Sequence, residues 1–175
     1  NLDGNFKFNS ENYIKNYEKK IIEKININNL IFNSIPKISN KGFYNNYDFI
    51  LKNVNSDTQN SDNFKENTNT YLSGLLQFNS SFPLKKENKF YEKILTPKLA
   101  LKISPENGND LKDSENRIDI SNVFNLNRLS SNDNLEGGVS LTYGNNFSIF
   151  DKEKGLETFS FSIANNLRLN KNDDL

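Results

Sequence analysis

The chain has 175 residues, of which 34% are hydrophobic and 25% charged, and 22 lysines and arginines balance 22 aspartates and glutamates. This length suits one domain, and the zero net charge gives no electrostatic basis for binding nucleic acid. Histidine and cysteine are absent, which excludes a histidine general base, a cysteine nucleophile, a Cys/His zinc site and a disulfide. The sequence has no run of about 18 apolar residues, so it contains no transmembrane helix.

Six segments alternate apolar and polar residues with a period of two, which predicts strands with one apolar and one polar face. In chain order these segments and their apolar positions are residues 20–34 (Ile21, Ile25, Ile27, Ile31), 42–54 (Phe43, Tyr47, Phe49, Leu51), 71–84 (Leu72, Leu76, Phe78, Phe82, Leu84), 94–104 (Leu95, Leu99, Leu101, Ile103), 139–149 (Val139, Leu141, Tyr143, Phe147, Ile149) and 157–170 (Phe159, Phe161, Ile163, Leu167, Leu169). A weaker alternation at residues 2–8 predicts a further strand before them.

The region that precedes the first of these segments has two interpretations. Tyr13, Tyr17, Ile21 and Ile25 recur every four residues, which is the spacing of an amphipathic helix. Asparagine-rich sequence is poor in helices, and a clean alternation starts at Ile25. We therefore expect a turn followed by a strand.

Strand length favours a membrane protein. The segments have about 11 to 15 residues, whereas strands of soluble sheets have about five or six and a tilted membrane strand needs about 9 to 11. Short connections (36–41, 85–93, 151–155) alternate with long ones (55–70, 105–134), as in outer-membrane barrels. We predict an all-β fold, an antiparallel transmembrane β-barrel fragment with six or seven long meander strands. A soluble antiparallel sandwich is the alternative.

In a barrel of this kind, the two parities of each strand face lumen and lipid. The candidates for the lumen face are Lys98, Lys102, Ser140, Thr142, Asn146, Ser160, Ser162 and Arg168. The candidates for the lipid face are Leu99, Leu101, Leu141, Tyr143, Phe147, Phe159, Phe161 and Ile163. The three lumen cations could meet an anionic sugar phosphate or pair with a lumen carboxylate such as Asp48.

Two further groups carry no chemistry. Asp110, Asp113, Glu115 and Asp119 form an acidic cluster, but the spacing of a calcium loop is absent, so we interpret it as a solvated external loop. The glycines of residues 136–138 lack a phosphate-loop pattern and are interpreted as a bend at a strand start. We expect no cofactor.

Two blocks of sequence resemble the outer-membrane LPS-assembly protein family (LptD, also called OstA). The strand of residues 95–105, LTPKLALKISP, is similar to the family's "L-x-P-x-x-x-x-x-x-S/T-P". After a polar loop, NVFNLNRL at 122–129 is similar to "N-L-F-x-x-N/D-R", and Asp133, LEGG at 135–138 and LTYG at 141–144 follow like "D-R-x-E-x-G-x-x-x-T-x-G-x-x-Y". The motif residues are Asn122, Phe124, Arg128, Glu136 and Gly138.

The resemblance implies an outer-membrane protein of a Gram-negative bacterium that inserts lipopolysaccharide (LPS) into the outer leaflet without catalysis. It further implies a plug lipoprotein (LptE-like) in the barrel, a periplasmic jellyroll that receives the lipid from a bridge protein (LptA-like), and a lateral exit seam between the first and last strands. The jellyroll, the family's cysteines and recognisable first and last strands are missing. The start without methionine and the open-ended residues 170–175 also suggest a fragment. We thus expect residues 1–175 to be a partial barrel domain.

Other functions are possible for the same pattern. A porin or a TonB-dependent transporter would share the barrel and lumen, and a soluble secreted β-sandwich would bind proteins instead. An enzyme is the least favoured class, since the usual nucleophile–base pair needs histidine. The long loop at 105–134 carries Phe124 and Leu126, and we expect it to fold inward or cap the lumen.

Overall fold

The computed structural model describes residues 3–17, 20–61, 67–105, 118–129 and 134–169. Its strands are β1 (Gly4–Tyr17), β2 (Ile21–Ser34), β3 (Lys37–Ile38), β4 (Tyr44–Gln59), β5 (Asn67–Ser81), β6 (Leu84–Glu87), β7 (Tyr91–Ser104), β8 (Gly138–Asp151) and β9 (Leu156–Arg168). Over these residues, we find no helix with the length and apolar character needed to span a membrane.

All nine strands belong to one antiparallel sheet. The seven long strands follow one another in the order β1-β2-β4-β5-β7-β8-β9, so each pairs with its neighbour in the chain. The short strands β3 and β6 extend two of the hairpin turns, by pairing with β4 and β7. The predicted all-β antiparallel meander of six or seven long strands is confirmed. Over the described residues the sheet is not closed, and β1 and β9 form its edges.

The long strands are about the length that a bilayer requires. They have between 13 and 16 residues. At about 3.3 Å per residue, 14 residues extend about 46 Å. A tilt of about 45° reduces this to a height of about 33 Å, close to the roughly 30 Å of a hydrocarbon core.

Two expectations about the connections are wrong. Residues 13–17 belong to strand β1 rather than to a turn, and Tyr13 pairs with Ile25 across β1 and β2. The long loop expected at 55–70 is short, because β4 continues to Gln59 and β5 begins at Asn67. These extensions consist mostly of asparagine, serine and threonine, so they lack the apolar residues by which the other strands were recognised.

The meander places the connections at two ends of the sheet. We call the end with the β1–β2, β4–β5 and β7–β8 connections the loop end, and the opposite end the turn end. Residues 118–129 and 134–137, from the β7–β8 connection, pack on one face of the sheet. We call this face the inner face and the opposite one the outer face.

The polarity of the inner face changes along the sheet. In β7 and β8 it carries Lys102, Ser140 and Thr142. Near the loop end of β2, β4 and β5 it combines an apolar cluster with buried polar residues, among them Glu23 and Lys52. There Ile25, Ile27, Val54 and Tyr71 form a buried cluster with Tyr13 beside it. The isoleucine parity of the first predicted segment therefore faces inward, opposite to the apolar parity of the later strands.

Close packing of β8 against β9 depends on Gly144. A Cβ atom there would lie 2.5 Å from the carbonyl oxygen of Ile163 and 3.0 Å from the Cβ of Ala164. Both obstacles belong to the paired strand, so they cannot rotate away.

We expect Gly144→Val to destabilise the full-length protein by about 1–3 kcal/mol, because the added side chain forces β9 away from β8. The measurement is the denaturant midpoint of the detergent-solubilised protein. Ser148→Val, on the same face of the same strand, is the matched control and should leave the midpoint nearly unchanged. Equal effects of the two substitutions would contradict the packing argument.

Candidate functional site

The candidate site is the contact between the β7–β8 connection and the inner face. We call residues 118–129 and 134–137 together the docked segment. It starts with a turn in which the Asp119 backbone N–H donates to Asn122 Oδ1 at 2.9 Å and the Val123 N–H to the Asp119 carbonyl at 3.0 Å. This turn directs the chain back onto the sheet.

Apolar side chains fix the docked segment at its middle. Leu135, with 1% of its surface exposed, packs with Ile50 of β4 and Leu75 of β5, and Leu126 contacts the same cluster. Val123 and Leu129 are also buried. Burying a leucine stabilises by about 1.5–3 kcal/mol, so these contacts alone favour the docked position.

Three charged side chains meet beneath the segment. Glu136 accepts hydrogen bonds from Arg128, through Nε at 2.6 Å and through Nη2. Lys102 of β7 places Nζ 3.1 Å from Glu136 Oε2. The side chains of all three are at most 4% exposed. We call this group the ion triad.

Further hydrogen bonds surround the ion triad. Arg128 Nη2 donates to Ser140 Oγ at 3.0 Å, and Lys102 Nζ donates to the Asn125 carbonyl at 2.9 Å. The triad thereby joins the docked segment to both β7 and β8. Because a buried charge is tolerated only when it is paired and hydrogen-bonded, each member depends on the others.

The charge state of Glu136 follows from these neighbours. Burial by itself would raise the pKa of this carboxyl group, but the Arg128 hydrogen bond and the positive charges of Lys102 and Arg128 outweigh it. The net result is a pKa below its ordinary value of 4.5. The carboxylate therefore contributes its full stabilisation above pH 4.5, and this is lost as the pH falls through the lower value of the folded state.

Polar side chains of the sheet bind the backbone of the docked segment. Gln77 of β5 donates through Nε2 to the Phe124 carbonyl at 2.9 Å, and Thr142 of β8 lies 3.5 Å from the Val123 carbonyl. A peptide group buried on a sheet face needs such partners. The inner face is thus adapted to hold irregular backbone.

Most of the motif residues named in the sequence analysis take part in this site. Arg128 and Glu136 form the triad, and Asn122 closes the turn. The Phe124 ring has the Lys98 ammonium 5.7 Å from its centre. Gly138 starts β8 with a φ of +87°, a conformation that favours glycine.

The other candidate residues lie in register on the two faces. Lys98, Lys102, Ser140, Thr142, Asn146, Ser160, Ser162 and Arg168 lie on the inner face, and Leu99, Leu101, Leu141, Tyr143, Phe147, Phe159, Phe161 and Ile163 lie on the outer face. Of the inner set, Lys102, Ser140 and Thr142 contact the docked segment. Asn146, Ser160 and Ser162 lie nearer the turn end.

For Lys102, the carboxylate partner differs from the Asp48 that the sequence suggested. Asp48 accepts from the amides of Asn33, Asn46 and Asn79 at 2.7–2.9 Å, whereas Lys102 pairs with Glu136. Gln77 was not identified beforehand. Its sequence signal was a long amide flanked by Leu75, Leu76 and Phe78.

Most of the acidic cluster lies outside the described part of the chain. Asp110, Asp113 and Glu115 lie outside the described residues, and Asp119 belongs to the turn above. Over the described residues, no group of three or more acidic side chains is arranged to hold a metal ion.

Comparison with known proteins assigns the family. The family model "LptD: LPS transport system D" matches residues 21–175, which include the docked segment and all strands from β2 to β9. The chain belongs to the LptD family. The resemblance found in the sequence is thereby confirmed, and the family's description connects the chain with LPS transport. No curated protein is similar enough to this LptD-family chain to count as a match.

The ion triad predicts unequal effects for its members. In the full-length protein, Glu136→Gln leaves two buried cations without a counter-ion and should destabilise by about 3–5 kcal/mol. Lys102→Met leaves the Arg128–Glu136 pair neutral and should cost only about 1–2 kcal/mol. Urea unfolding in detergent, with proteolysis of the docked segment as a second readout, measures both.

Glu157→Gln on strand β9 removes the same charge from an exposed position and is the matched control. Adding Lys102→Met to Glu136→Gln should recover part of the lost stability, because it removes one of the two uncompensated charges. Strictly additive losses in the double variant would mean that the triad is not a coupled unit.

Proposed function

We propose that this chain forms part of the wall of an outer-membrane β-barrel that inserts LPS into the outer leaflet of a Gram-negative bacterium. The family match over residues 21–175 carries this proposal. No step of the proposed activity requires bond chemistry. The protein supplies a wall, a lining and binding surfaces.

The outer face has the composition of a lipid-facing surface. Its apolar positions extend over about 9 to 11 residues in β7, β8 and β9, which is the span a tilted strand needs to cross a bilayer. Phe159, Phe161 and Ile163 are each more than half exposed. In water such a surface would be an aggregation hazard, whereas hydrocarbon covers it at no cost.

The inner face has the composition of a wet lumen. Its hydroxyl and amide side chains, together with Lys98 above the Phe124 ring, could contact the sugars or phosphates of a passing glycolipid. The docked segment narrows the space on this side of the wall. We propose that an LptE-like plug lipoprotein binds beside it.

The open edges support the assignment of a partial barrel. Unpaired edge strands leave backbone N–H and C=O groups unsatisfied in lipid, so only a closed barrel is stable there. We propose that further strands of the full-length protein pair with β1 and β9. A periplasmic domain of that protein would receive LPS from an LptA-like bridge.

Cysteine labelling in β8 tests the placement of the two faces. Asn146 on the inner face and Phe147 on the outer face are adjacent and both half-buried. In the full-length protein in membranes, we expect a water-soluble maleimide to label Asn146→Cys directly and Phe147→Cys only after detergent extraction. Equal labelling of both positions without detergent would contradict a membrane-spanning wall.

Removal of part of the docked segment tests the transport role. We expect deletion of residues 122–129 from the full-length protein to lower the amount of assembled barrel and the amount of LPS at the cell surface, since it removes Arg128 and its contacts. Antibody staining of surface LPS and sensitivity to large hydrophobic antibiotics measure the effect. Unchanged assembly and permeability would contradict the proposal, and a loss of small-solute uptake with normal surface LPS would indicate a porin.

A further inference from the structure

Strands β1, β2, β4 and β5 extend beyond the rest of the sheet at the loop end. Over the described residues, β5 pairs with β7 only from Leu76 to Ser81, whereas its pairing with β4 continues to Asn67. Strand β7 ends at Ser104 and strand β8 begins at Gly138, both close to that limit. We call the part of the first four long strands beyond it the four-stranded extension.

The outer face of this extension becomes mainly polar towards its end. Its first row, Phe8, Leu30 and Leu51, continues the apolar surface of the later strands. Above Leu51 the same parity carries mainly amides and hydroxyls, with Leu72 and Ile14 as exposed apolar residues among them. Its central residues are Ser10, Asn12, Asn26, Asn28, Asn53 and Asn55, which we call the asparagine ladder.

Hydrogen bonds connect the asparagine ladder across three strands. Ser10 Oγ donates to Asn28 Oδ1 at 2.7 Å, Asn28 Nδ2 to Asn26 Oδ1 at 2.6 Å, and Asn55 Nδ2 to Asn53 Oδ1 at 2.7 Å. Asn55 Nδ2 also lies 3.1 Å from Asn26 Oδ1. The amides are therefore held in fixed orientations, which lowers the entropy that a ligand must overcome to bind them.

The ladder borders a groove of about 620 Å³. Its lining includes Asn12, Ile14, Lys24, Asn26, Asn55 and Asp57. Lys24 and Asp57 pair at 3.2 Å, so the groove has no net charge, and Ile14 is 74% exposed beside them. A phosphate group would require an unpaired cation, whereas a neutral ligand with hydroxyl groups and apolar ring faces fits this lining.

The height of the extension indicates what surrounds it. From Asn53 to Asp57, which pairs with Lys24 in the groove, the outer parity of β4 is polar over four residue steps, about 13 Å along the strand and about 9 Å in height at a 45° tilt. The head-group layer of an ordinary bilayer adds only about 5–8 Å to each side. With the loop end at the outer surface, the Lys24–Asp57 row of the groove therefore lies above a phospholipid interface, at the level that the sugars of LPS occupy in the outer leaflet, and the asparagine ladder lies directly beneath it.

We propose that the asparagine ladder and its groove bind the saccharide part of LPS molecules that stand beside the barrel in the outer leaflet. This proposal rests on the proposed outer-membrane location. The bonds within the ladder use both Nδ2 hydrogens of Asn28 and of Asn55. Asn26 and Asn53 each donate one Nδ2 hydrogen and keep the second for a neighbouring sugar hydroxyl, and the oxygens of Asn28 and Asn55 each keep a lone pair as an acceptor. The contact lies on the outside of the wall, separate from the inner face that carries the docked segment.

Site-specific photo-crosslinking in the full-length protein tests the contact. Benzoylphenylalanine replaces Ile14 in the groove or, as a matched position lower on the same strand and face, Phe8. The protein is reconstituted in phospholipid vesicles that contain either LPS or lipid A. We expect the Phe8 probe to crosslink to both glycolipids. The Ile14 probe should crosslink to LPS but not to lipid A, which lacks the outer sugars.

Substitutions in the ladder provide the second measurement. Asn26→Leu with Asn55→Leu should lower capture of LPS by the Ile14 probe about tenfold, because it removes more than one hydrogen bond. Asn165→Leu, on the outer face of β9 away from the ladder, should leave capture unchanged. If the Phe8 probe still captures lipid in the double variant, the double variant still inserts into the membrane.

Three outcomes overturn the saccharide contact alone: capture of lipid A and LPS in equal amounts at Ile14, no capture there while Phe8 captures lipid, and unchanged capture in the double variant. Failure of the Phe8 probe to capture any lipid would instead contradict the membrane location, and the proposed function with it.

Discussion

One carboxylate determines how the inner face is covered. Glu136 is the counter-ion of both Lys102, from the sheet, and Arg128, from the connection, and all three are buried. The connection brings Glu136 and Arg128 to a cation that the strand already presents. Without it, Lys102 would lie on the inner face without its counter-ion, and Leu135 would lose its position against Ile50 and Leu75. The pairing of charges and the burial of apolar side chains therefore require the same placement of the chain.

The two faces of the sheet differ in polarity, and the polarity of each face changes between the turn end and the loop end. The later strands are apolar outside and polar inside, whereas towards the loop end of the first strands the outer face is mainly polar and the inner face includes an apolar cluster beside buried polar residues. There Ile25, Val54 and Tyr71 are covered on the inside. Asn26 and Asn55 lie on the outside. Successive side chains of a strand point to opposite faces, so the polarity of a face is set by every second residue. In β2 and β4, the residues at these alternate positions account for the change in polarity along each face.

Sequence periodicity predicted strands wherever apolar residues mark one parity. Strand β8 is the clearest case, because its apolar positions alternate from Val139 to Ile149. The last five residues of β4, 55–59, were missed, since Asn55 and Asp57 belong to no apolar pattern although they pair as regularly as the rest. The partner of Lys102 was missed for a different reason. Glu136 lies outside any strand, and only the path of the connection brings it near. Family resemblance had selected Arg128 and Glu136 as motif residues without indicating that they pair.

The limited pairing of β5 with β7 has a mechanical consequence. Six residue pairs join these strands, whereas β4 and β5 share fifteen. The docked segment bridges this boundary, because Leu135 packs on Ile50 and Leu75 while the adjacent Glu136 pairs with Lys102 of β7. Side-chain contacts of the connection thereby join two parts of the sheet where backbone pairing between the long strands is shortest. Loss of the connection would weaken the sheet at this boundary more than at its other strand pairs.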